Sequence, residues 1–227
     1  MEKTNTPVPQ VESNMAPDVS RRRFFQLAGG IAGAGLLFAA CKRSAPTTVY
    51  VGSGDTGLLN YLYIIQQIEA AFYTQAVATP YYGLTSSEQT LLTELRDQEI
   101  AHREFLQTLL GRDAVSNVEI NLSSVVFAER ASFLSNASYI EDLATAAING
   151  AVRLFTNTDH VRTLAKMAPV EARHSAYARD LLSYNSFADS TAVNNEGLNS
   201  AVSPQVGMDM AQKYLQSRFD TSKLPSY

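Results

Sequence analysis

Tryptophan is absent from this 227-residue chain, cysteine occurs once and histidine three times. The missing tryptophan removes the usual aromatic wall of a sugar or quaternary-amine pocket. A single thiol, Cys41, excludes an internal disulfide, thiolate zinc clusters and iron–sulfur clusters. Positive charge is scarce as well: 18 Lys and Arg stand against 22 Asp and Glu, a net charge of -4. No basic stripe follows the N-terminal segment, so no nucleic-acid partner is expected. A Gly-rich phosphate loop and a repeat of solenoid period are also missing. A metal site in such a chain must be built mainly from carboxylates with a few imidazoles. That donor set favours iron or manganese over a structural zinc.

What is present is an ordinary globular balance, 45% hydrophobic and 18% charged, at a length that suits one good-sized domain with appendages. Residues 1–41 read as a targeting segment and stay outside the fold argument. Ser20-Arg21-Arg22-Arg23-Phe24-Phe25 resembles the twin-arginine export motif. The apolar run from Leu27 to Ala40 falls short of the ~20 residues a spanning helix needs. It reads as a signal-peptide core rather than as a permanent membrane helix. Leu37-Phe38-Ala39-Ala40-Cys41 resembles a lipoprotein processing site, with Phe38 where leucine is usual, after which Cys41 is lipidated. Ordinary cleavage nearby is the alternative. The expected location is periplasmic or in the cell envelope, with membrane contact only through an anchor at Cys41. Residues 42–54, polar and rich in Gly, Ser and Thr, read as a tether.

From Asp55 the pattern turns helical and the fold class is all-α. Asp55 is expected to cap a first helix that runs to about Ala78 and is stopped by Pro80. Thr85-x-x-Glu88 and Ser86-x-x-Gln89 are two overlapping capping-box patterns for the second, which Gly111 closes. The third ends near Phe155. The fourth opens at Thr158 or Asp159 and runs to about Tyr184, with Pro169 expected to kink it or to divide it in two. Residues 55–184 thus form a four-helix bundle. Residues 185–227 form a C-terminal extension whose own helix, opened by Ser203-Pro204, covers Gln205 to Phe219. The short first and third links join antiparallel neighbours. The long middle link, from Arg112 and including the alternating stretch Val118 to Leu122, is a crossover between two helical hairpins.

Two strings in this bundle repeat one pattern: Glu99-Ile-Ala-His102 and Glu171-Ala-Arg-His174. Residues three apart on a helix share a face, so each string aims a carboxylate and an imidazole the same way. Both fall inside leucine-lined seams. The second helix reads Leu92, Leu95, Glu99, His102, Leu106, Leu109; the fourth reads Leu164, Met167, Glu171, His174, Ala178, Leu181. The first seam contains Gln66, Glu69 and Tyr73. The third contains Glu141, which is a mere capping residue if the helix starts at Ser138 and a core residue if it starts near Phe127 with a break near Asn136. Buried carboxylates without partners are strongly unfavourable and repel one another. Two divalent cations neutralise them together. Buried His–Glu hydrogen-bond pairs in a metal-free bundle are the plainer alternative. His160, near the start of the fourth helix, is expected at the surface.

Leu59-Asn60-Tyr61-Leu62 with Glu69-Ala70-Ala71-Phe72-Tyr73 resembles the first helix of the bacterial ferritin-like domain family, which also includes plant desiccation-related proteins. Val170-Glu171-Ala172-Arg173-His174 resembles its fourth. The resemblance covers about Asp55 to Tyr184. It implies a ferritin-like four-helix bundle around a carboxylate-bridged pair of Fe or Mn ions. Matched by motif, Glu99, His102, Glu171 and His174 correspond to ligands of the second and fourth helices, and Glu141 to the ligand of the third. The first helix departs from the pattern. Its ligand glutamate usually lies seven residues before a tyrosine, and seven before Tyr73 is Gln66; Glu69, one turn further along, is the substitute. Ile148 stands where the family's third-helix tyrosine is usual. Tyr73 is implied as a hydrogen-bond donor or redox-active neighbour of the site. Iron oxidation, peroxide removal and hydrocarbon oxidation all start from such a centre. A degenerate, metal-free bundle with a structural, stress-protective or partner-binding role is the alternative, and Gln66 is the residue that favours it. A storage cage fits poorly with a lipid anchor and a C-terminal extension.

Overall fold

The computed structural model describes residues 48–226. The twin-arginine motif, the apolar run, Cys41 and the first part of the tether lie outside the described residues. Among the described residues five helices carry the fold: α1 (Gly54–Ala78), α2 (Ser86–Leu110), α3 (Arg130–Val152), α4 (Thr158–Leu182) and α5 (Pro204–Ala211). Single 3-10 turns follow α2 (Gly111–Asp113) and α5 (Gln212–Tyr214), and two short strands, β1 (Thr48–Tyr50) and β2 (Arg218–Asp220), complete the set. Helices α1 and α2 pack as one hairpin, α3 and α4 as the other; α1 meets α3, and α5 lies on α3 and α1. Residues 111–129 make the crossover between the hairpins. No helix of the described residues is long and apolar enough to cross a membrane.

Burial follows position in this arrangement. Covered by three other helices, α1 buries residues all round, from Leu58 and Tyr61 to Phe72 and Tyr73. Helices α2 and α4 bury only a seam, Leu92, Leu95, Glu99, His102, Leu106 and Leu110 in the first case. Their other faces are polar, as expected of outer helices. Seams of this kind stabilise the bundle at roughly 25 cal/mol per Å² of apolar surface removed from water.

Local signals fix the helix ends, with several corrections to the sequence expectation. Thr85 makes the capping box with Glu88, and Gly111 closes α2 at φ +56°, a backbone region that suits glycine. Asp55 does not cap α1; Ser53 occupies that position. Asp55 sits in the first turn and accepts hydrogen bonds from Thr156 N (2.9 Å), Thr156 Oγ1 (3.0 Å) and Asn157 N (2.8 Å), tying the start of α1 to the α3–α4 link. The cap of α4 is Asn157, ahead of both residues expected to open it. Helix α3 begins at Arg130, close to the longer of the two expected starts, and runs unbroken through Asn136 to Val152, short of Phe155. Helix α4 continues through Pro169 rather than dividing there.

The two ends of the described chain differ most from expectation. Thr48–Tyr50 is not tether but strand, pairing in parallel with β2 in the register Thr48–Arg218, Val49–Phe219, Tyr50–Asp220. The C-terminal helix stops at Ala211 instead of reaching Phe219. Beyond it the chain runs along the crossover: Asn121 N donates to Tyr214 O and Gln216 N to Glu119 O, each at 2.8 Å. The alternating stretch at 118–122 is therefore the partner of the extension. Buried Asn60 anchors the crossover from inside α1, donating to Val51 O and Asp113 O and accepting from Val115 N. Gly150 lets the extension approach: Val202 N donates to Ala146 O at 3.1 Å, and a Cβ on Gly150 would overlap the Val202 carbonyl.

Candidate metal centre

Each of the four long helices brings a glutamate to mid-bundle: Glu69 from α1, Glu99 from α2, Glu141 from α3 and Glu171 from α4, all 0% exposed. His102 and His174 join them, nearly as buried. All six residues singled out in the sequence as candidate ligands are therefore in one cluster, with Gln66 and Tyr73 beside them. Glu141 reaches it because α3 starts early enough to place that residue in the middle of the helix. His160 is outside, partly buried against Phe155, with Nδ1 3.4 Å from Asp55 Oδ2.

The imidazoles face each other with ring centroids 6.4 Å apart and planes 26° apart. Their Nδ1 atoms point among the carboxylates. His174 Nδ1 lies 2.5 Å from Glu99 Oε1 and 3.9 Å from both Glu141 Oε2 and Glu171 Oε2. His102 Nδ1 lies 2.7 Å from Glu171 Oε1 and 3.5 Å from Glu99 Oε2. Each helix pair thus crosses over, the histidine of one Glu-x-x-His string meeting the glutamate of the other. Tyr73 donates to Glu141 Oε1 at 2.5 Å. The Gln66 amide nitrogen donates to Glu171 Oε1 at 3.0 Å and to Glu69 Oε2.

Close approach here is not the same as hydrogen bonding. Both oxygens of Glu99, one oxygen each of Glu69, Glu141 and Glu171, and Nδ1 of both histidines are buried without a well-aligned hydrogen-bond partner. Such orphaned groups are costly inside a protein. Their convergence suits a cation, which needs ligand lone pairs aimed at a shared point rather than at one another. Glu99, Glu141, Glu171 and His174 each offer a ligand atom lying within 4.8 Å of the others. Oxygen-rich with imidazole nitrogen, the donor set suits a metal ion.

Electrostatics lead to the same conclusion. Burial, then repulsion from neighbouring carboxylates, holds Glu69 and Glu141 well above the usual carboxylate range, and Glu171 is raised by burial and by Glu99. Burial also pushes Glu99 up, but the two histidines outweigh it and leave the group low. Burial pulls His102 down, yet Glu171 and Glu99 overcome that and raise it to about 10. Without a cation the raised carboxyl groups of the cluster retain protons; a bound metal cation would offset their charge instead.

Sequence reasoning missed the polar network outside this cluster. Asp142, next to Glu141, receives Arg179 Nε (2.8 Å), Arg179 Nη2 (2.6 Å) and Ser175 Oγ (2.6 Å), and Arg179 also reaches Asp189 and Thr191. The i, i+4 spacing of Ser175 and Arg179 was the available signal.

Comparison with known proteins agrees with the geometry. No curated protein sequence matches the chain. A protein-family model described as ferritin-like domain matches residues 54–184, from the first residue of α1 to just beyond the end of α4. The bundle, its crossover and its buried Glu and His cluster are thus those of a member of the ferritin-like domain family, to which this chain belongs.

Proposed function

We propose that this protein is an exported ferritin-like protein of the cell envelope whose bundle holds a dinuclear iron or manganese centre, used to handle that metal or to react with dioxygen or peroxide. The observation that carries this reading is the set of fully buried carboxylate oxygens that converge with two imidazole nitrogens and lack hydrogen-bond donors. Glu99 and Glu171, each of which approaches both imidazoles, would help hold the ions. His102 and His174 would each bind one ion, and Glu69 and Glu141 would close the two ends. When bound, such a metal pair supplies one-electron redox steps and Lewis acidity.

The chain's own residues supply the rest. Tyr73 holds Glu141 in place through its hydroxyl, whose oxygen lies 2.5 Å from Glu141 Oε1 and carries the shared proton. Leu95 and Leu106, buried one turn on either side of the α2 motif, set the cluster within an apolar core. Export and anchoring rest on the Ser20–Phe25 motif and on Cys41 in its lipoprotein-like setting. Palmitate labelling of the expressed protein, lost in Cys41→Ser, tests the anchor.

A metal-free structural role is the second reading, favoured by the Gln66 amide, which partly satisfies Glu69 and Glu171 without a cation. Metal analysis of the purified protein separates the two. Near two Fe or Mn per chain, lost in Glu99→Ala and Glu171→Ala, supports the metal centre; a stable protein that stays metal-free in the presence of Fe(II) and oxygen overturns it.

A further inference from the structure

We propose that the two metal positions are unequal: the one served by Glu141 and His174 fills first and tightly, and Gln66 makes the one served by Glu69 and His102 the weaker. This rests on the dinuclear reading above and deepens it.

The two halves of the cluster match in residue type but differ in what occupies their lone pairs. On the first side, His174 Nδ1 has three carboxylates within 4.0 Å, from Glu99, Glu141 and Glu171. Glu141 Oε2 and Glu171 Oε2 are orphaned and turned to that side. The terminal carboxylate is held from behind, since Tyr73 takes Glu141 Oε1 and leaves Oε2 for the centre.

On the second side the support comes from within. The Gln66 amide nitrogen bonds both the terminal carboxylate, Glu69, and Glu171 Oε1. His102 Nδ1 shares that same Glu171 oxygen at 2.7 Å. Among the described residues the ion-pair contacts of His102 stop at Glu171 and Glu99, without Glu69. An amide N–H donor between two carboxylate oxygens does part of what a cation would do there, and a cation entering must displace it. The cost of this arrangement is visible in Gln66 Oε1, which is buried without a donor. A glutamate at this position would supply a negative ligand; glutamine supplies a neutral side chain whose donors compete with the ion.

Titration of the purified metal-free protein with Mn(II), followed calorimetrically and by the EPR signal of free Mn(II), tests this. Two binding steps differing at least tenfold in affinity are expected. His174→Ala removes the tight step, whereas His102→Ala removes only the weak one. Gln66→Glu strengthens the weak step at least tenfold and narrows the gap. Gln66→Ala, which adds no buried charge, leaves the weak step unchanged or stronger; circular dichroism confirms that each variant is folded. Two equal steps in the wild type, an unchanged gap in Gln66→Glu, or a weaker second step in Gln66→Ala overturns the inequality. Absence of any Mn(II) binding in the wild type overturns the dinuclear reading itself.

Discussion

Tyr73 and Glu141 are joined by a 2.5 Å hydrogen bond from α1 to α3, and both are fully buried. Replacing Tyr73 by Phe keeps the ring, which meets Phe72 edge-on, and deletes only the donor. The Glu141 carboxyl then loses its one hydrogen bond inside the core. The expected cost to the metal-free protein is about 1–3 kcal/mol. Urea unfolding of Tyr73→Phe against wild type in EDTA measures it. In the metal-loaded protein the cost should shrink, because Glu141 regains a partner.

Metal loading itself should be visible as stability. A cation present at about 100 times its Kd adds ~2.7 kcal/mol to the folded state. For a chain of this size that corresponds to a Tm rise of roughly 5–11 °C. Thermal unfolding with Mn(II) and with EDTA checks the gain, which Glu171→Ala should abolish.

The pH dependence of the metal-free form has a definite sign. His102 rises on folding from 6.5 to about 10. Its ion-pair contribution is complete below pH 6.5 and is lost as pH climbs through about 10. Glu69 and Glu141, also raised, act in the same direction above their unfolded value of 4.5. The protein in EDTA should therefore lose Tm from pH 6.5 to 10. Metal-loaded protein, its ligands already deprotonated, should change much less, and loading at neutral pH should release protons measurable by calorimetry in two buffers.

Glu88 behaves oppositely. Burial alone would raise it, but the Thr85 cap and Arg130 hold it at about 2, against 4.5 unfolded. Its contribution is present above pH 4.5 and disappears as pH falls through about 2. A Tm difference between wild type and Glu88→Gln that is constant above pH 5 and closes toward pH 2 is the expected result.

Much of this architecture is legible in the residues themselves. Glu99, His102, Glu171 and His174 announce themselves because the i, i+3 spacing and the flanking leucines carry both helix and seam. Glu141 is legible only once the start of α3 is known, and helix starts depend on single capping residues. Asp55 shows how such a signal misleads: a capping-type residue at a helix start spends its carboxylate on Thr156 and Asn157 instead. The β1–β2 pair is invisible beforehand, since three-residue strands have too few positions to show an alternation, and the two partners lie far apart in sequence. The Asp142–Arg179 pair is hidden for a related reason, because which polar residues meet across two helices depends on helix rotation.

Gly150 ties the extension to the bundle, and its substitution is a clean test of that tie. In Gly150→Ala the new methyl would overlap the Val202 carbonyl. Overpacking of this kind typically costs about 1–3 kcal/mol. Hydrogen exchange should show residues 199–204 opening more readily, while the metal stoichiometry, set by α1 to α4, stays unchanged.

The parallel ribbon of Thr48–Tyr50 with Arg218–Asp220 also imposes an order in time. Among the described residues, synthesis delivers the first strand before the helices and its partner after all of them. The four carboxylates and both histidines are complete once α4 has emerged, whereas β1 must wait for Asp220. On a growing chain, the helices can gather the cluster before the ribbon closes, and that closure can complete the fold only after the remainder of the bundle has been made.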